Sequence, residues 1–72
     1  MAISSDTLIS RQVEAALIQD SRTTDATVDV ACVAGVVTLS GDVKKMAAKT
    51  AAEEIARAVS GVLSVHNELH VR

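Results

Sequence analysis

The sequence contains no phenylalanine, tyrosine or tryptophan and only one cysteine. Without aromatic side chains, it lacks the platforms on which proteins usually stack the bases of single-stranded nucleic acids. A single cysteine excludes an internal disulfide bond. The hydrophobic core must therefore be built from valine, leucine, isoleucine and alanine, each of which contributes little apolar area.

The net charge is also small, and it is unevenly distributed. The 72 residues carry a formal net charge of −2, which argues against DNA or RNA as a partner because such binding depends on neutralising phosphates. Up to Asp42, six acids and two bases give −4, and from Val43 onward five bases and three acids give +2. Positive charge is thus concentrated in the second half of the chain.

Long apolar runs are missing as well, and the N-terminus lacks the basic and apolar regions of a signal peptide. From the chain as written we expect a cytoplasmic protein, and a periplasmic or envelope-associated one if the chain is a domain excised from a longer precursor. A length of 72 residues leaves room for one domain with one core.

The first periodic segment predicts a helix, because apolar residues recur at helical spacing after a group of polar candidate N-caps. The polar residues 20–25 then predict a loop. The candidate caps are Ser4, Ser5 and Asp6, and the apolar stripe consists of Ile9, Val13, Ala16 and Leu17.

The period then changes to two, which is typical of strands. Ala34-Gly35 is a candidate tight turn, followed by a second strand from Val36 to Ser40 that Gly41 closes. Together these segments predict a hairpin. In its first strand Val28, Val30 and Cys32 alternate with Thr27, Asp29 and Ala31.

A second helix is predicted over residues 45–59, with Ser60-Gly61 as its C-cap. A third strand follows and runs to the end of the chain. We expect structural roles for Gly35, Gly41, Gly61 and Ile55. The helical stripe is Ala48, Ala52, Ile55 and Val59; the strand has Leu63, Val65, Leu69 and Val71 on one face and Ser64, His66, Glu68, His70 and Arg72 on the other.

This element order predicts a single small α+β domain of the type αββαβ. The second strand, the most continuously apolar, is expected at the centre of a mixed three-stranded sheet, joined to the third by a right-handed parallel crossover. Both helices would pack on one face and leave the other open to solvent.

Several motifs along the chain share their spacing with a known family. They are Asp6-x-x-Ile9-x-x-x-Val13-x-x-x-Leu17, Val28-x-Val30, Gly35-Val36-Val37-Thr38-Leu39-Ser40-Gly41-Asp42-Val43 and Ala52-x-x-Ile55-Ala56-x-x-Val59-x-Gly61-Val62-x-x-Val65-x-Asn67-x-Leu69-x-Val71. Together they resemble the BON domain (bacterial OsmY and nodulation domain). The resemblance covers residues 6–72 and leaves residues 1–5 as an N-terminal extension.

This resemblance implies the same αββαβ fold. It also implies a non-catalytic module, often envelope-associated, that is linked to phospholipid binding and to osmotic or membrane stress. Many members are exported and carry two or more copies, whereas this sequence has one copy and no visible export signal. The resemblance supplies no lipid-contact motif, so candidate ligand residues must come from the chain itself.

Lys44, Lys45 and Lys49 form the candidate lipid- or anion-binding site, at the start of the second helix. Cations there oppose the helix dipole by about 0.3–1 kcal/mol each, and a repeated breach of a local rule suggests a function. Free N–H groups and lysines suit a phosphate or anionic headgroup, and Met46 could touch acyl chains. The alternative is three solvated lysines, with Lys49 paired to Glu53.

Other reactive residue types predict structural roles. His66 and His70 flank Glu68 on one strand face, but the two histidines stand roughly 13 Å apart, too far to share a metal ion. We expect no metal and no cofactor. Cys32 is predicted to pack as a small hydrophobic side chain. Catalysis is not expected, because so small a sheet leaves little room for a pocket and no glycine-rich phosphate loop is present.

Three functions remain open. The leading one is a module that binds an anionic phospholipid or membrane surface, as a monomer or weak homo-oligomer. The second is a protein-interaction or oligomerisation domain that pairs through its sheet edges or its open face. The third is a small-ion or small-molecule sensor. The open face would carry Val36, Thr38, Ser40, His66 and His70.

Overall fold

A computed structural model of the protein describes residues 5–23 and 27–72. The element order confirms the predicted αββαβ arrangement. Residues 1–4, with the candidate cap Ser4, and residues 24–26, at the end of the predicted loop, lie outside the described ranges. The elements are α1 (Ser5–Gln19), β1 (Thr27–Val33), β2 (Val36–Val43), α2 (Met46–Ala58) and β3 (Ser64–Val71).

The strands form one mixed sheet in the order β1-β2-β3, with β2 at the centre as predicted. β1 pairs with β2 antiparallel and β2 pairs with β3 parallel. Side chains alternate between a covered and an exposed face. Both helices pack on the covered face, and this confirms the α+β architecture.

The core lies between the helices and the central strand. Val37 and Leu39 of β2 are fully buried, and Ile9, Val13 and Leu17 supply the face of α1. The predicted stripe of α2 faces the core, as expected. Ala52 is fully buried, Ala48, Ile55 and Val59 are partly buried against the core, and Ala51 and Ala56 are buried residues that the predicted stripe did not include. Alanine is buried there because its small side chain lets the helix approach the sheet closely.

The second strand is longer than predicted, since β2 continues past Ser40 and Gly41 to Val43. The backbone of Gly41 has φ +124°, and a Cβ there would overlap the carbonyl oxygen of Thr27 on β1. Only glycine fits this position without strain. The glycine that was expected to close the strand therefore lets it continue.

Two further boundaries differ from prediction. α2 ends at a C-cap on Val59, whose backbone is extended, so Ser60-Gly61 follows the cap instead of forming it. Leu63 precedes β3 and is 79% exposed, so it does not belong to the covered face. That face instead includes Asn67 between Val65 and Leu69.

The loop after α1 is attached to that helix by a hydrogen bond from a buried hydroxyl group. Thr23 is 3% exposed, and its Oγ1 donates to the carbonyl of Leu17 over 2.5 Å. Asp20 accepts two side-chain hydrogen bonds from Arg22, which together with a backbone hydrogen bond lower the pKa of Asp20 to about 2. Arg22 also reaches Glu54 of α2 at 3.5 Å. The loop is thus tied to both helices.

Asp6 does not cap α1, and the helix already includes Ser5. The carboxylate of Asp6 instead accepts hydrogen bonds from the backbone N–H groups of Ala34 and Gly35, at 3.0 and 3.2 Å. These bonds lower the pKa of Asp6. The start of α1 is thereby fastened to the tip of the hairpin.

The hairpin turn itself has positive φ at both central residues, 50° at Ala34 and 81° at Gly35. This is the geometry of a type I′ turn, which favours asparagine followed by glycine. A left-handed conformation costs alanine about 1–2 kcal/mol. Ala34 therefore occupies a backbone conformation that is unfavourable for alanine.

We expect Ala34→Asn to stabilise the protein by about 1 kcal/mol, because asparagine tolerates the left-handed region. In a domain of this size, that gain corresponds to a rise in Tm of about 4–8 °C. Thermal unfolding followed by circular dichroism measures it. The control is Ala31→Asn, at an exposed strand position, which should bring no gain. Equal effects of the two changes would contradict the assigned turn geometry.

Asp6 also predicts a pH dependence. Because its folded pKa lies below the usual 3.8, its contribution to stability is present above that pH and is lost as the pH falls through the folded pKa. We expect Asp6→Asn to be less stable than the parent at pH 7 and to lose less stability between pH 5 and pH 2. Urea unfolding across this range measures both effects. Ala31→Asn, which adds an amide at an exposed position of β1 without removing a titratable group, should keep the slope of the parent.

Candidate functional site

The predicted lysines lie where β2 connects to α2. Lys44 and Lys45 form the connection and are exposed. Lys45 is the N-cap residue, with an extended backbone and no side-chain capping hydrogen bond, and the first turn of α2 contains no acid. This helix start therefore carries positive charge where a helix usually has an acceptor or a negative side chain.

Lys49 lies one turn further along α2 and is only partly exposed. The predicted ion pair between Lys49 and Glu53 is wrong, since Glu53 pairs with Arg57 at 3.3 Å. Arg57, one helical turn after Glu53, is therefore the ion-pair partner of Glu53 in place of Lys49. Within the described residues, no ion pair includes any of the three lysines. Their charges are therefore available to a ligand.

Asn67 fixes the position of this helix start. Its Nδ2 donates to the carbonyl of Lys49 over 2.8 Å, and its Oδ1 accepts from the backbone N–H of Leu69 over 3.2 Å. One amide thus joins the first turns of α2 to β3. The signal in the sequence is a polar residue at an inward position of the alternating third strand, and the predicted faces of that strand did not include it.

Apolar side chains accompany the lysines. Met46 is 61% exposed and Val71, at the end of β3, is 43% exposed. Val71 pairs in register with Val43, which directly precedes Lys44. We call this region, made of Lys44, Lys45, Met46, Lys49 and Val71, the basic end. It combines cations with exposed apolar side chains at one end of the sheet.

The histidines of the third strand lie on the open face of the sheet. His66, Glu68 and His70 are exposed, opposite Thr38, Ser40 and Asp42 of β2 respectively. In the described parts of the chain, no group of three or more histidine, cysteine, aspartate or glutamate side chains could hold a metal ion.

Cys32 lies at the covered face of β1 and is packed against the core. Its Sγ is 3.5 Å from Oδ1 of Asp6. Burial is the main cause that raises the pKa of the thiol, and the nearby carboxylate of Asp6 raises it further. A raised pKa lowers the fraction of reactive thiolate, so this environment suits the packing role predicted from the sequence.

Neither helix, within the residues that the structure describes, is long and apolar enough to span a bilayer.

Comparison with known proteins shows which family and which curated protein the chain is similar to. The sequence model of the BON domain matches residues 5–72. The chain is also 40% identical over 67 residues to the "Osmotically-inducible protein Y" of Escherichia coli (strain K12), an alignment that covers 93% of this chain and 33% of that protein. The chain thus spans about a third of the length of the curated relative that it matches.

We expect Asn67→Ala to destabilise the fold by about 1–3 kcal/mol, because it leaves the N–H of Leu69 without its acceptor and removes the hydrogen bond that joins β3 to the carbonyl of Lys49. The free energy of unfolding in urea measures this loss. His66→Ala, one residue earlier on the exposed face, should change stability by less than about 0.5 kcal/mol. Similar losses for the two variants would show that the Asn67 amide does not hold α2 to β3.

Proposed function

The chain belongs to the BON domain family, and on that basis we propose that it is a non-catalytic module that binds the surface of membranes containing anionic phospholipid. The basic end is the contact surface. The observation that carries this proposal is a group of lysines that form no ion pair with any described residue, beside an exposed methionine. Headgroup phosphates would meet Lys44 and Lys45, and Met46 would reach the acyl boundary.

The energies fit a weak, reversible association. A basic residue near an anionic surface contributes about 1 kcal/mol. Lys44 and Lys45 are both exposed and should contribute most, while the partly exposed Lys49 should contribute less. Attraction of this kind falls off within a Debye length, about 8 Å at physiological salt. Binding should therefore weaken strongly as salt is added.

The arrangement suits an extended surface better than an enclosed ligand. The three lysines follow the connection and the first turn of α2, so their charges are spread along an edge of the molecule. Exposed Met46 and Val71 would be desolvated by a bilayer interface. A single small phosphate would leave these apolar side chains in water.

We further propose that this binding serves a response to osmotic or envelope stress. The support is the relative named as osmotically inducible, of which this chain matches about a third. In that setting the domain would work in the periplasm or at the cell envelope, where anionic phospholipid surfaces are available to it.

We expect the double variant Lys44→Gln/Lys45→Gln to reduce binding to phosphatidylglycerol-containing vesicles at least about tenfold, since two contributions of about 1 kcal/mol each are lost. Co-sedimentation with vesicles at low and high salt measures this. The parent should bind at low salt, and vesicles of purely zwitterionic lipid should not retain it.

The matched control is Arg11→Gln/Arg57→Gln, which removes the same net charge from exposed positions away from the basic end. This control should bind nearly as well as the parent. Equal losses in both double variants would mean that only net charge matters, and unchanged binding of the lysine variant would exclude the basic end as the contact surface.

A further inference from the structure

Among the described residues, no strand pairs with the edge of β1 on the side away from β2 and β3. Val33 and Val36 flank the two-residue turn and are register partners. In such a hairpin the flanking pair exchanges both of its hydrogen bonds, and bonded pairs recur at every second residue. Asp29 therefore bonds to β2, while the N–H and C=O groups of Val28 and Val30 point outward.

A groove runs beside the start of this edge, between β1 and α1. It has a volume of about 150 Å³ and is lined by Glu14, Leu17, Ile18 and Val28. Ile18 is 68% exposed, and Val28 and Val30 are only partly buried against the core. A strand added to β1 would place alternate apolar side chains in this groove.

The charges around the edge are acidic. Glu14 lines the groove on the helix side, and the exposed Asp29 lies on the opposite face of β1. Within the described residues, neither carboxylate takes part in an ion pair. Arg11 is on the same helix but does not line the groove. An added strand is thus met by negative charge on both of its faces.

We propose that the β1 edge binds an extended peptide segment of another protein in which apolar and basic residues alternate. The segment adds to the sheet as a fourth strand through the outward backbone groups of Val28 and Val30. Its apolar side chains enter the groove, and its basic side chains lie on the opposite face, beside Asp29. This interaction does not depend on the membrane contact proposed for the basic end.

A second copy of the chain fits the edge less well. Pairing β1 with β1 would bring the carboxylates of Glu14 and Asp29 from both copies to one seam, where like charges repel. Pairing β1 with the free edge of β3 would have to displace the side chain of Asn67, which already accepts the N–H of Leu69. Charge complementarity therefore favours a basic segment.

The test uses a capped seven-residue peptide of alternating lysine and valine, titrated into the isotope-labelled chain at low salt. We expect saturable shifts of the Val28, Val30 and Cys32 amide signals. The matching peptide of alternating glutamate and valine should produce none. Absence of saturable shifts with the lysine peptide, or equal shifts with both peptides, overturns the proposal.

Two variants assign the binding mode. Val30→Pro removes an outward N–H at a position where an edge strand tolerates proline, and should weaken peptide binding by about tenfold or more. Asp29→Lys should weaken it as well. Glu68→Lys makes the same charge change in the same cross-strand row, on β3, and should bind like the parent.

The charge variants keep the test decisive if Val30→Pro fails to fold, which circular dichroism establishes. Equal effects of Asp29→Lys and Glu68→Lys would overturn the edge assignment. Sedimentation of the chain alone tests the other occupant: a dimer that Val30→Pro abolishes would show that a second copy fills the edge, and would also overturn the proposal.

Discussion

Close approach of α2 to the sheet is the constraint on which the rest of the structure depends. With no aromatic side chain to fill space, a gap between the layers would cost contacts that the core cannot replace. The three buried alanines at positions 51, 52 and 56 allow the helix to lie near the central strand. Gly41 meets a similar demand within the sheet, where the backbone of β1 leaves no room for a Cβ.

The location of the basic end follows from this packing. The connection from β2 to α2 is only two residues long, so Lys44 and Lys45 must turn the chain at the surface. Asn67 then holds the helix start against β3 through the carbonyl of Lys49. Polar contacts of Asn67 thus hold the backbone near the lysines, while the lysine side chains form no ion pair within the described residues.

The two proposed contact surfaces differ in charge. Three of the five bases after Val43 lie at the start of α2, whereas Glu14 and Asp29, which form no ion pair within the described residues, lie beside the β1 edge. Two partners of opposite charge could thus be bound on separate surfaces. The proposed membrane contact uses side chains of the basic end. The proposed strand addition uses backbone groups of β1.

The sequence alone determined the element order, the central strand, the hairpin turn and the lysine cluster, because periodicity and turn chemistry are local properties. Tertiary structure alone decided that Asp6 binds the hairpin 28 residues away, that Asn67 joins a strand to a helix, and that β2 passes through Gly41. Each of these depends on a backbone group brought close by packing. Periodicity can indicate which face a residue occupies, but the partner on that face is set by how the layers meet.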